Sequence, residues 1–214
     1  FGNVGWGVVK KTAELGGKVV AIAGPDGYIY DPDGAVTDEK INYLLEMRAS
    51  GRDKVQDYAD KFGCEFHAGE KPWGLGADKV DIMMPCATQN DVNMDSAKKI
   101  AASGIKYYIE VANMPTTNDA LEFLKEQKHM VIAPSKAVNA CGVAVSALEM
   151  AQNAERLYWT AEEVDAKMHQ IMANIYHSSV AAAERYGLGY DLVAGANIVG
   201  FQRVADAMTA QGIF

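Results

Sequence analysis

The sequence of 214 residues is poor in cysteine and histidine, the residues that build disulfide frameworks and many metal sites. Its three cysteines, Cys64, Cys86 and Cys141, are odd in number and widely spaced, and they fit neither a disulfide framework nor a CxxC metal pattern. The four histidines form no cluster at ligand spacing, so no metal site is predicted. Free cysteines are typical of a reducing compartment, and we expect a cytoplasmic protein.

Long apolar runs and an excess of positive charge are also absent. No stretch of 18 apolar residues occurs, so no transmembrane helix is predicted. The formal net charge of -8 and the pI of about 5.0 argue against nucleic acid or an anionic membrane as a partner. An anionic cofactor remains compatible with this charge, because backbone N–H groups bind phosphate without a basic patch.

Glycine is present where a dinucleotide-binding turn needs it. Residues 1–5 read Phe-Gly-Asn-Val-Gly, and Gly2 and Gly5 keep the spacing of the last two glycines of G-x-G-x-x-G. A helix-compatible run, 6–15, and a strand-like run, 18–23, follow. A glycine-rich helix start without any phosphate fits these few residues equally well.

Asp26 follows the strand-like run in a Gly-Pro-Asp-Gly turn. In dinucleotide-binding folds a carboxylate about 20 residues beyond the glycines meets the adenosine ribose hydroxyls. A carboxylate there repels a 2′-phosphate, and no arginine lies in this turn, so the sequence favours NAD over NADP. An ordinary turn aspartate is the alternative.

Strand-like and helical patterns alternate in the middle of the chain, and this alternation predicts an α/β fold with a doubly wound, mostly parallel sheet. The strands are expected at 80–84, 105–110 and 129–133, with helices at 95–102 and 117–127. Small residues with amides or hydroxyls follow each strand, at 85–90, 111–117 and 134–139. Ligands bind outside the carboxyl ends of parallel strands, so these segments suit a flat ligand with ribose and carboxamide groups. Ordinary loop composition is the alternative.

Cys86 lies in the first of these segments and admits two interpretations. It suits a nucleophile, but no histidine is close in sequence to activate it. A small residue at a strand end is therefore the favoured interpretation. The last third of the chain is predicted to be helical, with Thr160 as a cap and Glu163 completing a capping box.

Several strings, PCATQN, ANMPTT, PSKAVNA, FGNVG and LVAGANI, together resemble the cofactor-binding half of hexameric bacterial glutamate dehydrogenase. The resemblance covers essentially the whole chain. It implies a Rossmann-like lobe that binds NAD, with NADP possible, in an NAD-dependent amino-acid dehydrogenase. The implied reaction is oxidative deamination of L-glutamate to 2-oxoglutarate and ammonium. It further implies a homo-hexamer assembled through an N-terminal domain outside this chain.

The resemblance also implies roles for individual residues. It places Gly2, Asn3 and Val4 against the pyrophosphate, and Asp26, Ala87 and Thr88 by the adenosine and its ribose. It places Asn113 and Asn139 near the nicotinamide ribose and carboxamide. It has Val143 and Ser146 face the substrate. Cys141 stands where the family has glycine, so we expect crowding beside the cleft. No residue matches the family's catalytic lysine or aspartate, and no acid–base residue is assigned here.

The same comparison predicts the domain limits. Residues 1–150 are expected to form the NAD(P)-binding domain, and 151–214 a helical segment that packs on it and on an N-terminal substrate domain. The first glycine and the first strand of the fold are absent from the sequence. We therefore expect a polypeptide that begins before Phe1, and a gap in the sheet with an unpaired strand on each side.

Other functions fit the sequence as well. A relative that acts on leucine or phenylalanine would share most of these motifs. A dinucleotide-binding module without catalysis is a second alternative, and a structural or partner-binding domain is a third.

Overall fold

A computed structural model describes residues 1–212, which form six short β-strands and nine α-helices. In chain order they are α1 (Asn3–Glu14), β1 (Ala21–Ala23), β2 (Gly27–Tyr30), α2 (Asp38–Ala49), α3 (Gln56–Phe62), β3 (Glu65–Ala68), β4 (Ile82–Met83), α4 (Met94–Ser103), β5 (Tyr107–Ile109), α5 (Asn118–Lys125), β6 (Val131–Ala133), α6 (Ser135–Val138), α7 (Ala140–Glu155), α8 (Ala161–Arg185) and α9 (Leu192–Gln211). The α/β class, with a parallel sheet and helices, is confirmed.

The strands form two sheets of three strands each. In the second sheet β4, β5 and β6 are parallel, and Tyr108 pairs with both Met83 and Ile132. In the first sheet β1, β2 and β3 are antiparallel, and β2 is the central strand. The sequence predicted no strand at β3. Its residues are exposed or half-buried and give no clear alternation of apolar and polar side chains.

Two clusters of buried apolar side chains form the core, and the first, centred on the parallel sheet, also includes Tyr28 of β2. Helices α4 and α5 cover the parallel sheet and bury Ala97, Ile100, Ala120 and Leu124 completely against it. Helices α1, α2 and α3 pack on the antiparallel sheet around a second cluster, which includes Val9, Ile29, Leu44, Met47 and Tyr58. Burial of these apolar side chains is the main force that holds the helices on the sheets.

A cleft of about 800 Å³ separates the two sheets and is lined by residues from β1, β4 and α1. Within residues 1–212, β1 pairs only with β2 and β4 only with β5. Apolar side chains, among them Val9, Val20 and Ile22, contribute to its walls. The predicted gap in the sheet, with an unpaired strand on each side, is therefore confirmed.

Side chains cap the starts of three helices. Thr37 accepts a hydrogen bond from the backbone N–H of Lys40 at the start of α2. Thr160 and Glu163 form the predicted capping box of α8. Helix α9 begins at Leu192, because the side chain of Asp191 accepts from the backbone N–H of Ala194.

The last three helices, α7 to α9, pack mainly on one another, and α8 lies along α9. Many of their large apolar side chains are exposed, including Met150, Leu157, Tyr158, Phe201 and Val204. No helix among the described residues has the length and apolar character that a membrane crossing requires.

Candidate functional site

Three segments follow the carboxyl ends of the parallel strands, and we call residues 85–92, 111–117 and 134–139 the strand-end loops. The first two loops are joined where they leave the sheet, because the N–H groups of Val111 and Ala112 both donate to the carbonyl of Pro85, at 3.2 and 2.9 Å. The predicted strand ends therefore lie together on one edge of the sheet, as parallel pairing requires.

The same two loops are joined again further out. The N–H of Asn90 donates to the carbonyl of Met114 at 3.0 Å, and that of Val92 to the carbonyl of Pro115 at 2.9 Å. Val92 also forms a parallel bridge with Thr116. Backbone hydrogen bonds thus hold the polar residues of both loops in fixed relative positions.

Two residues of these loops adopt left-handed backbone conformations. Asn90 has φ of 58°, and Met114 has φ of 44°. Asparagine tolerates this region, but for an unbranched bulky residue such as Met114 it costs roughly 1–3 kcal/mol. Met114 is also exposed, so core packing does not account for its conformation. Strain of this kind is concentrated at ligand-binding loops.

Asn113 and Asn139 join the second and third loops. The side-chain N–H₂ of Asn139 donates to the side-chain oxygen of Asn113 at 2.6 Å and to the carbonyl of Val111 at 3.2 Å. No residue between 1 and 212 donates to the side-chain oxygen of Asn139 or accepts from the N–H₂ group of Asn113. The pair therefore presents one free acceptor and free donors, which suit a carboxamide or a ribose hydroxyl.

The structure adds two residues that the sequence reading did not select. Glu110, assigned only to the end of a strand, is 3% exposed, and its carboxylate accepts from the backbone N–H of Ser135 at 3.2 Å. Lys136 donates from its ammonium group to the side-chain oxygen of Asn197 and so links α6 to α9. A charge at the end of an apolar strand was the available signal for Glu110.

The start of α1 suits an anion. Gly2 is its N-cap and provides no side-chain hydrogen bond. Among the described residues, the first turn of α1 holds no acidic side chain. The first intrahelical bond runs from the N–H of Trp6 to the carbonyl of Gly2. The N–H groups of Asn3, Val4 and Gly5 therefore point out of the helix end, where the helix dipole favours negative charge.

Arg48 brings a cation to this helix start, although the sequence places it far away. Its guanidinium donates to the side-chain oxygen of Asn3 at 2.8 Å and lies over the ring of Trp6. Space near the glycines is open, because a Cβ added to Gly2 or Gly5 would meet nothing within 4 Å.

Two residues of the predicted cofactor set, Ala87 and Thr88, line the cleft between the sheets; the others, Gly2, Asn3, Val4, Asp26, Asn113 and Asn139, do not. Gly5, Pro25, Ala87 and Thr88 line it, and Ala87 and Thr88 are exposed. Val4 is half exposed at the start of α1. The structure therefore places the beginning of α1, the turn after β1 and the first strand-end loop around one opening.

Asp26 makes defined contacts of its own. Its two carboxylate oxygens accept from the backbone N–H groups of Val55 and Gln56, each at 3.0 Å. It therefore holds the start of α3 against the turn after β1. The ribose contact implied for Asp26 stays a prediction.

The two residues implied for the substrate lie on α7, which begins directly after Asn139. Val143 and Ser146 are three positions apart, share one helix face and are both exposed. Cys141, in the first turn of the same helix, is half-buried. Burial, followed by the negative charge of Asp165, raises the pKa of the Cys141 thiol.

Cys86 is poorly suited to act as a nucleophile. Burial raises the pKa of its thiol to about 11, so the thiolate is scarce at neutral pH. The thiol donates to the carbonyl of Met84 at 3.3 Å. These contacts agree with the interpretation of Cys86 as a small residue at a strand end.

Comparisons with known proteins converge on one family. The sequence pattern of the family described as Glutamate/Leucine/Phenylalanine/Valine dehydrogenase matches residues 1–212. The NAD-specific glutamate dehydrogenase of Clostridium symbiosum is 72% identical over 213 residues, covering 100% of this chain and 47% of that protein. The NADP-specific glutamate dehydrogenase of Escherichia coli is 47% identical over 214 residues, covering 99% of this chain and 46% of that protein.

Solved structures agree with the sequence comparisons. A glutamate dehydrogenase structure with 72% sequence identity superposes with a TM-score of 0.94, covering 99% of this chain and 46% of that one. The chain thus spans about half the length of the curated relatives that it matches.

Proposed function

The chain belongs to the Glutamate/Leucine/Phenylalanine/Valine dehydrogenase family, and on that premise we propose that it is the cofactor-binding half of an NAD-dependent glutamate dehydrogenase. The reaction is oxidation of L-glutamate with NAD⁺ and water to 2-oxoglutarate, ammonium, NADH and one proton. The observation that carries the proposal is the joined edge of strand-end loops, with Asn113 and Asn139 presenting free polar groups. In this proposal residues 1–150 form the cofactor domain and 151–214 the helical segment.

The start of α1 is proposed to bind the pyrophosphate. Gly2 leaves room for close approach, and the outward N–H groups of Asn3 and Val4 donate to phosphate oxygens. Arg48, held by Asn3, adds a positive charge at the same place. These groups explain how a chain with a net charge of -8 accommodates an anionic cofactor.

Adenosine and its ribose are proposed to lie by Asp26, Ala87 and Thr88. The small side chain of Ala87 permits close approach, and the hydroxyl of Thr88 offers a donor or an acceptor. NAD is favoured over NADP because Asp26 carries a negative charge and because the relative with 72% identity is named NAD-specific. NADP stays possible, since the relative from Escherichia coli is named NADP-specific.

Asn113 and Asn139 are proposed to orient the nicotinamide end. When bound, NAD accepts a hydride from the amino-acid carbon. The exposed hydroxyl of Ser146 is proposed to face a substrate carboxylate, and Val143 the aliphatic part of the substrate. No described residue is assigned an acid–base role.

We also propose a homo-hexamer in the cytoplasm. The resemblance to hexameric bacterial glutamate dehydrogenases supports the assembly, and the three free cysteines fit a reducing compartment. Light scattering of the complete natural protein is expected to give six times the mass of one polypeptide, and a monomeric mass would refute the assembly.

A substrate panel tests the proposed function. Initial rates of NAD⁺ reduction by the complete natural protein are to be measured with L-glutamate, L-leucine, L-phenylalanine and L-valine. We expect L-glutamate to give the highest kcat/KM. Faster turnover of leucine or phenylalanine would assign the chain to another branch of the family, and NADH binding without turnover would indicate a binding module.

A variant of Asn139 tests the site itself. We expect Asn139→Ala to raise KM for NAD⁺ by about tenfold, because hydrogen bonds to the cofactor and to Asn113 are lost. The matched control is Asn42→Ala on the exposed face of α2, which should leave KM unchanged. An unchanged KM in Asn139→Ala would remove this residue from the site.

A further inference from the structure

Glu110 is a buried carboxylate to which the proposed function gives no role. It follows β5 directly and is 3% exposed. A buried carboxylate is costly unless its oxygens accept hydrogen bonds. Its position at the edge that carries the strand-end loops suggests that its contacts serve that edge.

Two hydrogen bonds of Glu110 hold the beginning of the third strand-end loop, one on each side of Pro134. The backbone N–H of Glu110 donates to the carbonyl of Ala133, the last residue of β6, at 3.0 Å. The carboxylate accepts from the N–H of Ser135, the first residue of α6, at 3.2 Å. One residue thus holds the end of a strand and the start of the next helix, with Pro134 between them.

Only one helical turn separates this attachment from Asn139. Helix α6 has four residues, and the N–H of Asn139 donates to the carbonyl of Ser135 at 2.9 Å. A shift of Ser135 therefore moves the backbone of Asn139. The side chain of Asn139 contacts Val111 and Asn113, which follow Glu110 along the chain.

We propose that Glu110 is a positioning residue of the cofactor site: its carboxylate fixes the start of α6 and thereby the side-chain amide of Asn139. The inference rests on the proposed function. Glu110 acts through Asn139 and does not itself contact the cofactor.

The hydrogen bond to Ser135 is the contact that matters. A glutamine at this position retains an acceptor oxygen of the same reach, whereas alanine has none. We therefore expect Glu110→Gln to keep the affinity for NADH within about threefold of the wild type, and Glu110→Ala to weaken it about tenfold.

A double-mutant cycle separates positioning from general destabilisation. Dissociation constants for NADH are to be measured by fluorescence titration of the complete natural protein carrying Glu110→Ala, Asn139→Ala or both. If Glu110 acts through Asn139, the dissociation constant of the double variant for NADH is no higher than the larger of the two single-variant values. Losses that multiply would show that the two residues act independently and would overturn the proposal.

Two further variants complete the test. Ser135→Pro removes the N–H that Glu110 accepts while keeping a residue suited to the first helical position, so it should weaken binding as Glu110→Ala does. Ser135→Pro replaces Glu110→Ala in the test if the latter variant does not fold.

Asp31→Asn changes another buried carboxylate, which lies outside the strand-end loops, and should lower Tm without changing the affinity for NADH. Wild-type affinity in Ser135→Pro would overturn the inference, whereas a wild type that does not bind NADH would refute the proposed function instead.

Discussion

At the scale of single residues, Asp26 combines a structural contact with a proposed role in cofactor choice. Its carboxylate accepts two backbone hydrogen bonds at the start of α3, from Val55 and Gln56. Val55 is fully buried, so its N–H has no access to water as a substitute. A substitution at Asp26 is therefore expected to change two properties, and the two can be measured separately.

We expect Asp26→Ser to lower the free energy of unfolding by about 2 kcal/mol, because two donors lose a charged acceptor. We also expect it to raise the ratio of kcat/KM for NADP to that for NAD, because the charge that repels a 2′-phosphate is lost. Urea denaturation and initial rates with both cofactors give the two results.

The matched control is Asp60→Ser on the exposed side of α3, which removes the same charge. Neither property should change in this variant. A loss of stability in Asp26→Ser with an unchanged cofactor ratio would leave Asp26 as a capping residue only.

Part of the candidate site could be located from the sequence, and part could not. Asn113 and Asn139 lie in segments that the strand pattern placed at one edge of the sheet. Their roles came from the family resemblance and stay predictions. The contact between Arg48 and Asn3 joins residues 45 positions apart, and that between Glu110 and Ser135 joins residues 25 positions apart. Such pairs form only when elements that are distant in sequence pack together. The hydrophobic pattern of one element does not identify its partner residues.

At the scale of elements, a buried polar cluster joins β2, α2 and α3. The ammonium of Lys40 lies 2.6 Å from the carboxylate of Asp31, and the hydroxyl of Tyr58 donates to the same carboxylate at 2.8 Å. Burial alone would raise the pKa of Asp31, but the hydrogen bonds from Lys40 and Tyr58 outweigh it and lower this pKa. Burial and the hydrogen bond to Asp31 raise the pKa of Tyr58.

Removing the cation of this cluster should be costly. We expect Lys40→Met to lower the free energy of unfolding by about 3 kcal/mol, because a buried carboxylate is left without its counter-ion. Lys11→Met breaks an exposed pair with Glu14 and should cost at most about 0.5 kcal/mol. Equal losses in the two variants would show that burial does not strengthen the first pair.

The lowered pKa of Asp31 also predicts a pH dependence. The unfolded chain binds a proton at Asp31 below about pH 3.9, whereas the folded chain resists protonation to a lower pH. The stabilisation by Asp31 is therefore present above about pH 3.9 and is lost as the pH falls below that value. Urea denaturation between pH 3 and pH 6 should show a smaller loss for Asp31→Asn than for the wild type, and parallel curves would contradict the assignment.

Helices α8 and α9 approach closely at Gly195. A Cβ added there would lie 2.0 Å from the carbonyl oxygen of Ser179, a backbone atom that cannot rotate away. We expect Gly195→Ala to destabilise the protein by about 3 kcal/mol through overpacking. Gly200→Ala in the same helix meets nothing within 4 Å and should stabilise the protein by up to about 1 kcal/mol. Thermal denaturation of both variants checks the contrast, and a destabilised Gly200→Ala would contradict this explanation.

At the scale of the whole molecule, the fold class and most elements could be predicted from the sequence. Alternation of strand-like and helical patterns predicted the parallel sheet, and a capping box predicted the start of α8. The antiparallel sheet could not be predicted in full, since β3 is short and weakly patterned. The strands of the parallel sheet were predicted too long, because the apolar sequence pattern continues beyond the residues whose backbones pair.

The proposed cofactor residues come from both sheets. The start of α1 and the turn after β1 contribute from the antiparallel sheet, and the strand-end loops contribute from the parallel sheet. In the proposed function the adenosine end lies near the cleft, and the nicotinamide end lies at the asparagine pair. The proposed cofactor would therefore contact residues that follow strands of both sheets.

Hydrogen exchange of the complete natural protein, with and without saturating NADH, tests this central claim most directly. We predict slower exchange on binding at the start of α1 and in all three strand-end loops, residues 85–92, 111–117 and 134–139. Helix α9 beyond residue 200 serves as the internal control and should exchange at the same rate in both states. Unchanged exchange in the strand-end loops at saturating NADH would contradict the proposed site.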